Sequence, residues 1–253
     1  MDKNNIVRFS RLIRESDNIV FFGGAGVSTE SGMKDYRSKD GLYNTVKQYG
    51  VSPETILSRS FFYRHPDVFY DFYYRYFLDA SAEPNRAHLA LAELEKSGKL
   101  KAVVTQNIDG LHQRAGSRNV IELHGTVLSH HCPACGAAMP YEQVRALRGK
   151  IPKCDRCGHI VKPDVVLYEE PLNERVTEAA AGAISSADLL IVGGTSLAVY
   201  PAANFIHYFG GENIVLINRD ETPLDGRATL VFRDNIGEVL SETVKNHNAA
   251  DNF

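Results

Sequence analysis

The hydrophobic residues of the chain fall into short apolar runs separated by amphipathic stretches. Runs of strand length lie at 18–22, 101–106, 119–123, 188–194, 213–218 and 228–232. Apolar residues recur with helical spacing at 4–16, 86–98, 173–187, 200–210 and 236–246. Because the strand-length runs are apolar throughout and joined by helices, they predict an α/β fold, a doubly wound parallel sheet covered on both faces.

Two regions break this alternation. Residues 61–77 contain ten Phe or Tyr in seventeen positions, and the segment 128–162 contains all four cysteines of the chain. We interpret both regions as insertions that form a smaller second module. The predicted organisation is a discontinuous Rossmann-like domain interrupted by a helical insertion and a cysteine-containing insertion. The large domain would comprise 1–37, 83–127 and 163–253, and the insertions would comprise 38–82 and 128–162.

Composition and charge exclude several classes of function. The 253 residues carry a net charge of −3, so no basic field is available to neutralise nucleic-acid phosphates. No run of about 18 apolar residues predicts a membrane span. The first sixteen residues are polar and helix-like and lack the apolar core of a signal peptide. We therefore expect a cytoplasmic protein that binds neither nucleic acid nor membrane.

The cysteines have the spacing of a zinc site. They form two C-x₂-C pairs separated by eighteen residues, at Cys132, Cys135, Cys154 and Cys157. Two such knuckles supply four thiolates for tetrahedral Zn²⁺, and cytosolic thiols are seldom paired in disulfides. A site filled by four thiolates has no open position for catalysis, so we expect one structural zinc ion. His130, His131 and His159 are close in sequence and could replace a cysteine, but we expect them to be bystanders.

The first predicted strand ends in a glycine-rich loop, "GGAGVSTESG" (23–32). Gly24, Ala25 and Gly26 begin a dinucleotide-binding pattern, in which glycines let the backbone approach a pyrophosphate. The third position of that pattern is Thr29 rather than glycine. The alternative interpretation is a plain glycine turn between a strand and a helix.

Polar residues also end the other predicted strands. They are Gln106, Asn107 and Asp109 in "TQNID", His124 in "ELHGT", Gly194, Thr195 and Ser196 in "GGTS", and Asn218 and Arg219 in "INRD". Each set alone could be a turn or a helix cap. Together they would line one edge of a parallel sheet, which is where such folds bind ligands. Asp35, Tyr36 and Arg37, just past the glycine loop, would form either a solvated turn or a loop that closes over the ligand.

The motifs together resemble those of the sirtuins, the NAD-dependent protein deacylases, and in particular bacterial-type protein deacetylases. The resemblance rests on "GAGVSTESGMKDYRS", "TQNIDGLHQRAG", "ELHGT", the paired C-x₂-C, "KPDVVLYEE", "GTSL" and "IN", which occur in the family's order over about 20–236. It implies a Rossmann-like domain and a small module made of a zinc ribbon and a helical part. NAD, consumed as a co-substrate, and an acetyl-lysine peptide would meet between them.

The resemblance also implies roles for individual residues. His124 would be the general base, and Asn107 and Asp109 would be catalytic with it. Gln106 and Asn107 would position the ribose, and Ile108 and Asp109 would receive the nicotinamide carboxamide. Further NAD contacts would come from Gly24, Ala25, Gly26, Thr29, Asp35, Tyr36, Arg37, Gly194, Thr195, Ser196, Asn218, Arg219 and Ile236. Val165, Val166, Leu167 and Tyr168 would pair with the substrate peptide as an added strand.

Four positions depart from the family pattern and bear on loop closure and peptide preference. Lys34 and Tyr36 stand where the family more often has Pro and Phe, and Tyr168-Glu169-Glu170 stands for "FGE".

Relatives that remove succinyl groups carry Tyr-x-x-Arg, and here the arginine position is Tyr73. Arg75 should point away because two helical residues rotate the side chain by about 200°. An aromatic pocket that prefers neutral acyl groups is expected.

Other functions remain open from the sequence. A protein ADP-ribosyltransferase could use the same NAD-binding crevice. An NAD oxidoreductase would need an acidic residue about twenty positions after the glycines, and "NTVKQYG" (44–50) offers none. A zinc-ribbon binding module would leave the polar strand ends unexplained. We expect a monomer that acts on acetylated proteins or peptides.

Overall fold

The computed structural model describes residues 1–33, 46–78 and 82–250. Its α-helices are α1 (Lys3–Glu15), α2 (Val46–Tyr49), α3 (Pro53–Ile56), α4 (Arg59–Arg64), α5 (Pro66–Tyr73), α6 (Arg86–Lys96), α7 (Leu111–Arg114), α8 (Tyr141–Ala146), α9 (Glu174–Ser186) and α10 (Ile236–Ala250). The strands are β1 (Ile19–Gly23), β2 (Leu100–Thr105), β3 (Val120–Glu122), β4 (Gly125–His131), β5 (Ala138–Pro140), β6 (Lys162–Val165), β7 (Leu189–Gly193), β8 (Asn213–Ile217) and β9 (Leu230–Phe232). Within those ranges, no helix is both long enough and apolar enough to cross a membrane.

Six strands form a parallel sheet in the order β3-β2-β1-β7-β8-β9. The order runs outward in one direction from β1 and in the other from β7, as in a doubly wound Rossmann-like sheet. The prediction of a parallel α/β sheet is therefore confirmed. The strand order reverses direction between the adjacent strands β1 and β7. The carboxyl ends of these two strands flank the crevice where such folds bind ligands.

Each sheet face is covered by helices because successive strand residues point to opposite sides. Phe21 and Ile191 pack with α1, α6 and α10 on one face. Phe22 and Val192 pack with α9 and the segment 202–209 on the other. The strands are buried on both sides, which explains why their sequences are apolar without alternation.

A third hydrophobic cluster lies outside the large sheet. It joins the aromatic helices α4 and α5 to residues of β4, β5 and β6, which form a three-stranded antiparallel sheet. Residues of both insertions thus share one core, in keeping with a single small module. The exact domain boundaries given above stay a prediction.

Three segments differ from the sequence-based expectation. The glycine-rich loop contains two short 3₁₀ turns, Ala25–Val27 and Thr29–Ser31, and the helix expected at 200–210 is a 3₁₀ helix over Ala202–Tyr208. The latter sequence, AANFIHY, is rich in residues with weak α-helix propensity. Residues 74–78 are also wound differently, as a turn of π-helix that extends α5.

Candidate active site

The polar strand ends lie side by side at the carboxyl edge of the sheet. Gly23 at the end of β1 is level with Thr105 of β2 and with Gly193 of β7. The residues that follow these three strands therefore start from one line and face the same crevice. This confirms that the polar ends recognised in the sequence share one edge.

Glycines allow the loops after β1 and β7 to touch. The Gly26 amide donates to the Gly194 carbonyl at 2.8 Å, and a Cβ added at Gly26 would lie 2.7 Å from the Gly194 Cα. Gly194 has φ +60°, and a Cβ there would lie 2.4 Å from the Val27 nitrogen. Thr29, the residue that replaces the third glycine, donates its hydroxyl to the Gly26 carbonyl at 2.9 Å and fixes the turn. The absence of side chains at Gly26 and Gly194 thus lets the two loops approach each other closely at the crevice.

Ser28 joins the loop after β1 to the end of β2. Its buried hydroxyl donates to Asp109 Oδ2 at 2.7 Å and accepts from Asn107 Nδ2 at 3.0 Å. The other oxygen of Asp109 accepts from the Leu111 amide at 2.9 Å. Asn107 and Asp109 of "TQNID" are therefore held in fixed orientations, Asn107 as a donor and Asp109 as an acceptor.

Gln106 connects β2 to the β7 loop. Its side-chain amide donates to Thr195 Oγ1 at 3.1 Å, and the same hydroxyl accepts from the Leu197 amide at 3.2 Å. Thr195 thus stabilises its own turn and does not cap a helix. Ile108, next in the motif, packs against the core of the small module, and its carbonyl accepts from the Val127 amide at 2.9 Å. The motif therefore spans from the large sheet to the small module.

His124 lies between β3 and β4 and is held by the backbone of Gln106. Its Nδ1 lies 2.9 Å from the Gln106 carbonyl. A carbonyl only accepts, so Nδ1 carries the proton and Nε2 has the free lone pair. Burial lowers the pKa of His124, and the hydrogen bond to Gln106 partly offsets that effect. The ring is therefore neutral at pH 7 and can take a proton at Nε2.

The segment 165–168 begins beside His124 and ends at α4. The Val166 amide donates to the His124 carbonyl at 2.9 Å, and the Tyr168 amide donates to the Leu57 carbonyl at 3.0 Å. This is the stretch for which the sequence predicts pairing with a substrate peptide. It runs from the candidate base to the helical part of the small module.

An ion pair stabilises the backbone of that segment. Lys162 and Glu170 are 3.0 Å apart and mostly buried. The Lys162 ammonium donates to the Val165 carbonyl at 2.7 Å, and Glu170 Oε2 accepts from the Leu167 amide at 2.9 Å. Both charged groups therefore act on the backbone conformation of the segment.

The residues predicted to contact the adenosine half of NAD do not form one hydrogen-bonded group like that of Ser28, Asn107 and Asp109. Asn218 donates its side-chain amide to the Asp220 carbonyl at 2.9 Å, and exposed Arg219 donates to Asn235 at 3.0 Å. Ser196 is exposed next to Thr195. Ile236 is buried in the core, within contact distance of Gly193, so its side chain serves packing. Asp35, Tyr36 and Arg37 lie outside the described residues.

The sequence alone did not single out three residues near Asp109. Ser28 is one, and the others are His88 and His112, whose rings are 4.7 Å apart in the core beneath the strand ends. Burial lowers the pKa of both histidines, and Asp109 opposes this for His88. The two histidines end the stretches "PNRAH" and "IDGLH". The sequence could not single them out, because a buried histidine has no sequence signature that distinguishes it from an exposed one.

The four cysteines form one cluster. Their sulfur atoms all lie within 4.8 Å of one another, and closest pairs are 3.4 to 3.6 Å apart. Disulfide sulfurs are about 2.05 Å apart, whereas a tetrahedral Zn²⁺ with bonds of about 2.3 Å separates its sulfurs by about 3.8 Å. All four are free thiols. The site therefore fits zinc as predicted.

The nearby histidines have other partners. His130 is buried and lies 3.0 Å from the Tyr73 hydroxyl, and His131 Nδ1 lies 2.6 Å from Asp164. His159 Nδ1 is 3.3 Å from the Cys157 carbonyl. These contacts agree with their interpretation as bystanders, and the thiolates complete the coordination set without them.

The aromatic helix α5 does not form an open acyl pocket. Tyr70 and Tyr73 are both 1% exposed and belong to the core of the small module, so the expectation that Tyr73 lines a pocket is wrong. Their hydroxyls bond inward, to the Val161 carbonyl and to His130. Arg75 does point away, toward Asp71 at 3.3 Å. A separate cavity of about 390 Å³ adjoins Asp109, with Phe77, Leu78 and Val127 among its apolar walls and Arg114 and Arg145 among its polar ones.

The chain is similar to curated proteins and solved structures whose names include NAD and protein deacetylation. A protein of Clostridium perfringens named NAD-dependent protein deacetylase is 54% identical over 243 residues, covering 95% of this chain and 99% of that protein. A solved complex of a Sir2 homologue with NAD shares 40% identity and a TM-score of 0.86, covering 96% of this chain and 94% of the other. A complex of Sir2 with a p53 peptide and NAD⁺ shares 38% identity and a TM-score of 0.85, covering 96% and 98%.

The family-level comparison covers the same motifs. The sequence model of the Sir2 family matches residues 24–201, from the glycine loop through the strand ends, the cysteine cluster and the β7 loop. That range is more than half of the chain, and the similarity of fold extends over nearly all of it. With its doubly wound sheet, oriented histidine and four-thiolate cluster, the chain belongs to the Sir2 family.

Proposed function

We propose that this protein is an NAD-dependent protein lysine deacetylase. Acetyl-lysine, NAD and water are converted to lysine, nicotinamide and 2′-O-acetyl-ADP-ribose. The observation that carries this proposal is His124, a neutral base oriented by Gln106 at the sheet edge and adjoining the segment 165–168 for which the resemblance implies peptide pairing. NAD is consumed and not reduced, so the site needs no substrate that donates a hydride.

The chain's own residues divide the work between binding and proton transfer. Asn107 and Asp109, fixed by Ser28, present an amide and a carboxylate to the ribose and the nicotinamide carboxamide. The glycine loop lets the pyrophosphate approach the backbone closely. His124 accepts the proton of a ribose hydroxyl at Nε2 while Nδ1 stays bonded to the backbone. Close positioning and exclusion of water supply the rest of the acceleration.

Zinc has a structural task in this proposal. Cys132, Cys135, Cys154 and Cys157 would fill its coordination sphere and hold the loops on either side of β5 together. The same core contains Val165 and Leu167, so the ion would keep the substrate segment in place from a distance. It would supply no Lewis-acid chemistry to the reaction.

The substrates are acetylated proteins or peptides. We propose that the enzyme acts in the cytoplasm as a monomer. Because its net charge is −3, we also propose that it does not bind nucleic acid. Size-exclusion chromatography with light scattering tests the oligomeric state. Binding to duplex DNA at low salt, where a charge-driven contact is strongest, would contradict the partner assignment.

The activity is tested with NAD and one peptide sequence that carries acetyl-, propionyl- or succinyl-lysine. Mass spectrometry should find deacetylated peptide and acetyl-ADP-ribose, with less product from the succinyl peptide because the similar proteins are named deacetylases. ADP-ribose attached to protein, with the acetyl group still on lysine, would instead indicate an ADP-ribosyltransferase. Formation of reduced nicotinamide would indicate an oxidoreductase.

A further inference from the structure

Glu169 occupies a backbone conformation that favours glycine. Its φ is +75°, and Leu197 is the other non-glycine residue with positive φ in the described part of the chain. Such a conformation is sparsely populated by residues with a Cβ and persists where the surroundings hold it. Glu169 is held by Ser60, whose amide and hydroxyl donate to its carboxylate at 2.8 and 2.9 Å.

These bonds tie the substrate segment to α4. The Arg59 amide donates to the Tyr168 carbonyl at 2.9 Å, and Ser58 and Tyr168 form an isolated parallel bridge. Tyr168 and Arg59 are thus neighbours through their backbones. The start of α4 is therefore fixed to the segment through the backbone.

The outer face of α4 carries cations and an aromatic ring. Arg59, Tyr63 and Arg64 are all exposed, and we call these three residues the α4 ridge. The Arg59 guanidinium lies over the Tyr63 ring, 5.5 Å from its centroid. Such stacking holds the guanidinium in place while its N–H groups remain available for an acceptor. Tyr168 adjoins the ridge and is 44% exposed.

The ridge has more positive than negative charge. Arg64 bonds to the Ser60 carbonyl and hydroxyl, and Glu169 accepts from the same serine. No carboxylate of a described residue lies within 4.0 Å of the Arg59 guanidinium. Two arginines therefore face one carboxylate, and Arg59 has an aromatic ring as its partner.

The spacing along the segment relates this ridge to the candidate base. The Val166 amide donates to the backbone carbonyl of His124, and the carbonyl of Tyr168, two residues later, accepts from the backbone amide of Arg59. Two residues of extended chain span about 7 Å. A peptide lying along this segment with its lysine directed at His124 would bring a residue two or three positions away to the ridge.

We propose that the α4 ridge recognises an acidic side chain two or three residues from the acetyl-lysine, on one side of the lysine only. The inference rests on the proposed deacetylase function and adds a substrate class to it. The carboxylate would bind the Arg59 guanidinium, with its aliphatic stem against Tyr63 or Tyr168. Charge complementarity selects the occupant, since a basic side chain would meet two arginines.

The inference is tested by scanning aspartate and lysine through three positions on each side of acetyl-lysine in a neutral peptide. Because the ion pair would be exposed, aspartate at the recognised position should raise kcat/KM by about 2- to 5-fold. Lysine there should lower it by a similar factor. The aspartate effect should vanish in roughly 1 M salt, where exposed charges are screened.

Variants locate the effect. Arg59→Gln should bring the ratio of kcat/KM for the acidic peptide to kcat/KM for the neutral peptide close to one. Arg59→Lys should keep part of the preference for the acidic peptide. Arg175→Gln removes the same charge from an exposed position on α9 and should leave the ratio as in the wild type. If kcat/KM does not vary with the scanned residue, or if the preference for aspartate survives Arg59→Gln, the inference is overturned. Deacetylation of the neutral peptide in the same experiment would still uphold the proposed function. Failure to deacetylate any peptide overturns both.

Discussion

His124 and Gln106 are joined by a hydrogen bond of 2.9 Å between the imidazole Nδ1 and a backbone carbonyl. The same glutamine uses its side-chain amide to bind Thr195 across the β1–β7 crevice. One residue at the end of β2 therefore sets the tautomer of the candidate base and links the loops on either side of the ligand site. Because the partner of His124 is backbone, substitution of the Gln106 side chain would not remove it.

Replacing His124 tests the base directly. His124→Ala should lower kcat by roughly 10²- to 10⁴-fold, the usual contribution of general base catalysis. Binding of NAD and of acetylated peptide, measured by calorimetry, should remain close to wild type because the ring is not their main contact. Wild-type turnover in a folded His124→Ala protein would refute the assignment.

The pH dependence of turnover follows from the state of His124. Burial lowers its pKa, so the neutral, active form prevails from a pH somewhat below the unperturbed value of about 6.5 upward. Turnover should be constant near pH 7 and fall as the pH drops through the lowered pKa, where the ring becomes protonated. A rate profile with its acid limb above pH 7 would contradict this, and loss of the limb in His124→Ala would assign it.

Ser28 is expected to matter for NAD rather than for peptide. Ser28→Ala removes the donor to Asp109 and the acceptor of Asn107. Hydrogen bonds to charged groups contribute about 1.5–3 kcal/mol, so kcat/KM for NAD should fall roughly 10- to 100-fold. KM for the peptide should change much less.

Ser10→Ala is the matched control for Ser28→Ala. Ser10 is equally buried but bonds to the Thr243 carbonyl between α1 and α10, far in sequence from the strand ends. It should lower the melting temperature without raising KM for NAD. Equal effects of both serines on KM would show that Ser28 acts through stability alone.

Loss of one thiolate should disorder the small module. Structural zinc sites contribute apparent binding free energies of about 10–16 kcal/mol in small peptides, and Cys132 is a buried member of the cluster. Cys132→Ala should bind less zinc, melt at lower temperature and lose activity indirectly. Metal analysis and calorimetry check this; a variant without zinc that keeps wild-type melting and turnover would refute a structural role.

The sequence predicted the sheet and its functional edge because both depend on local patterns. Apolar runs without alternation identify buried strands, and residues at the ends of parallel strands meet by topology. The sequence alone therefore predicts that Gln106 and His124 lie at the same edge. The cysteines likewise follow from spacing, because a knuckle is a local turn.

Contacts between distant side chains could not be predicted in the same way. Ser28 was one polar residue among several in a loop, and its role depends on how closely β1 and β2 end. Tyr73 was placed in a pocket by analogy with a helix position, but its burial depends on packing against the cysteine-containing insertion.

The fate of the acetyl group tests the central claim most directly. A peptide with a carbon-labelled acetyl-lysine is incubated with the zinc-loaded protein and NAD, and initial products are quantified by mass spectrometry. The account predicts that the label appears on ADP-ribose, in an amount equal to the nicotinamide released and to the lysine freed. Label released as acetate without nicotinamide, or nicotinamide released while the label stays on lysine, would contradict it.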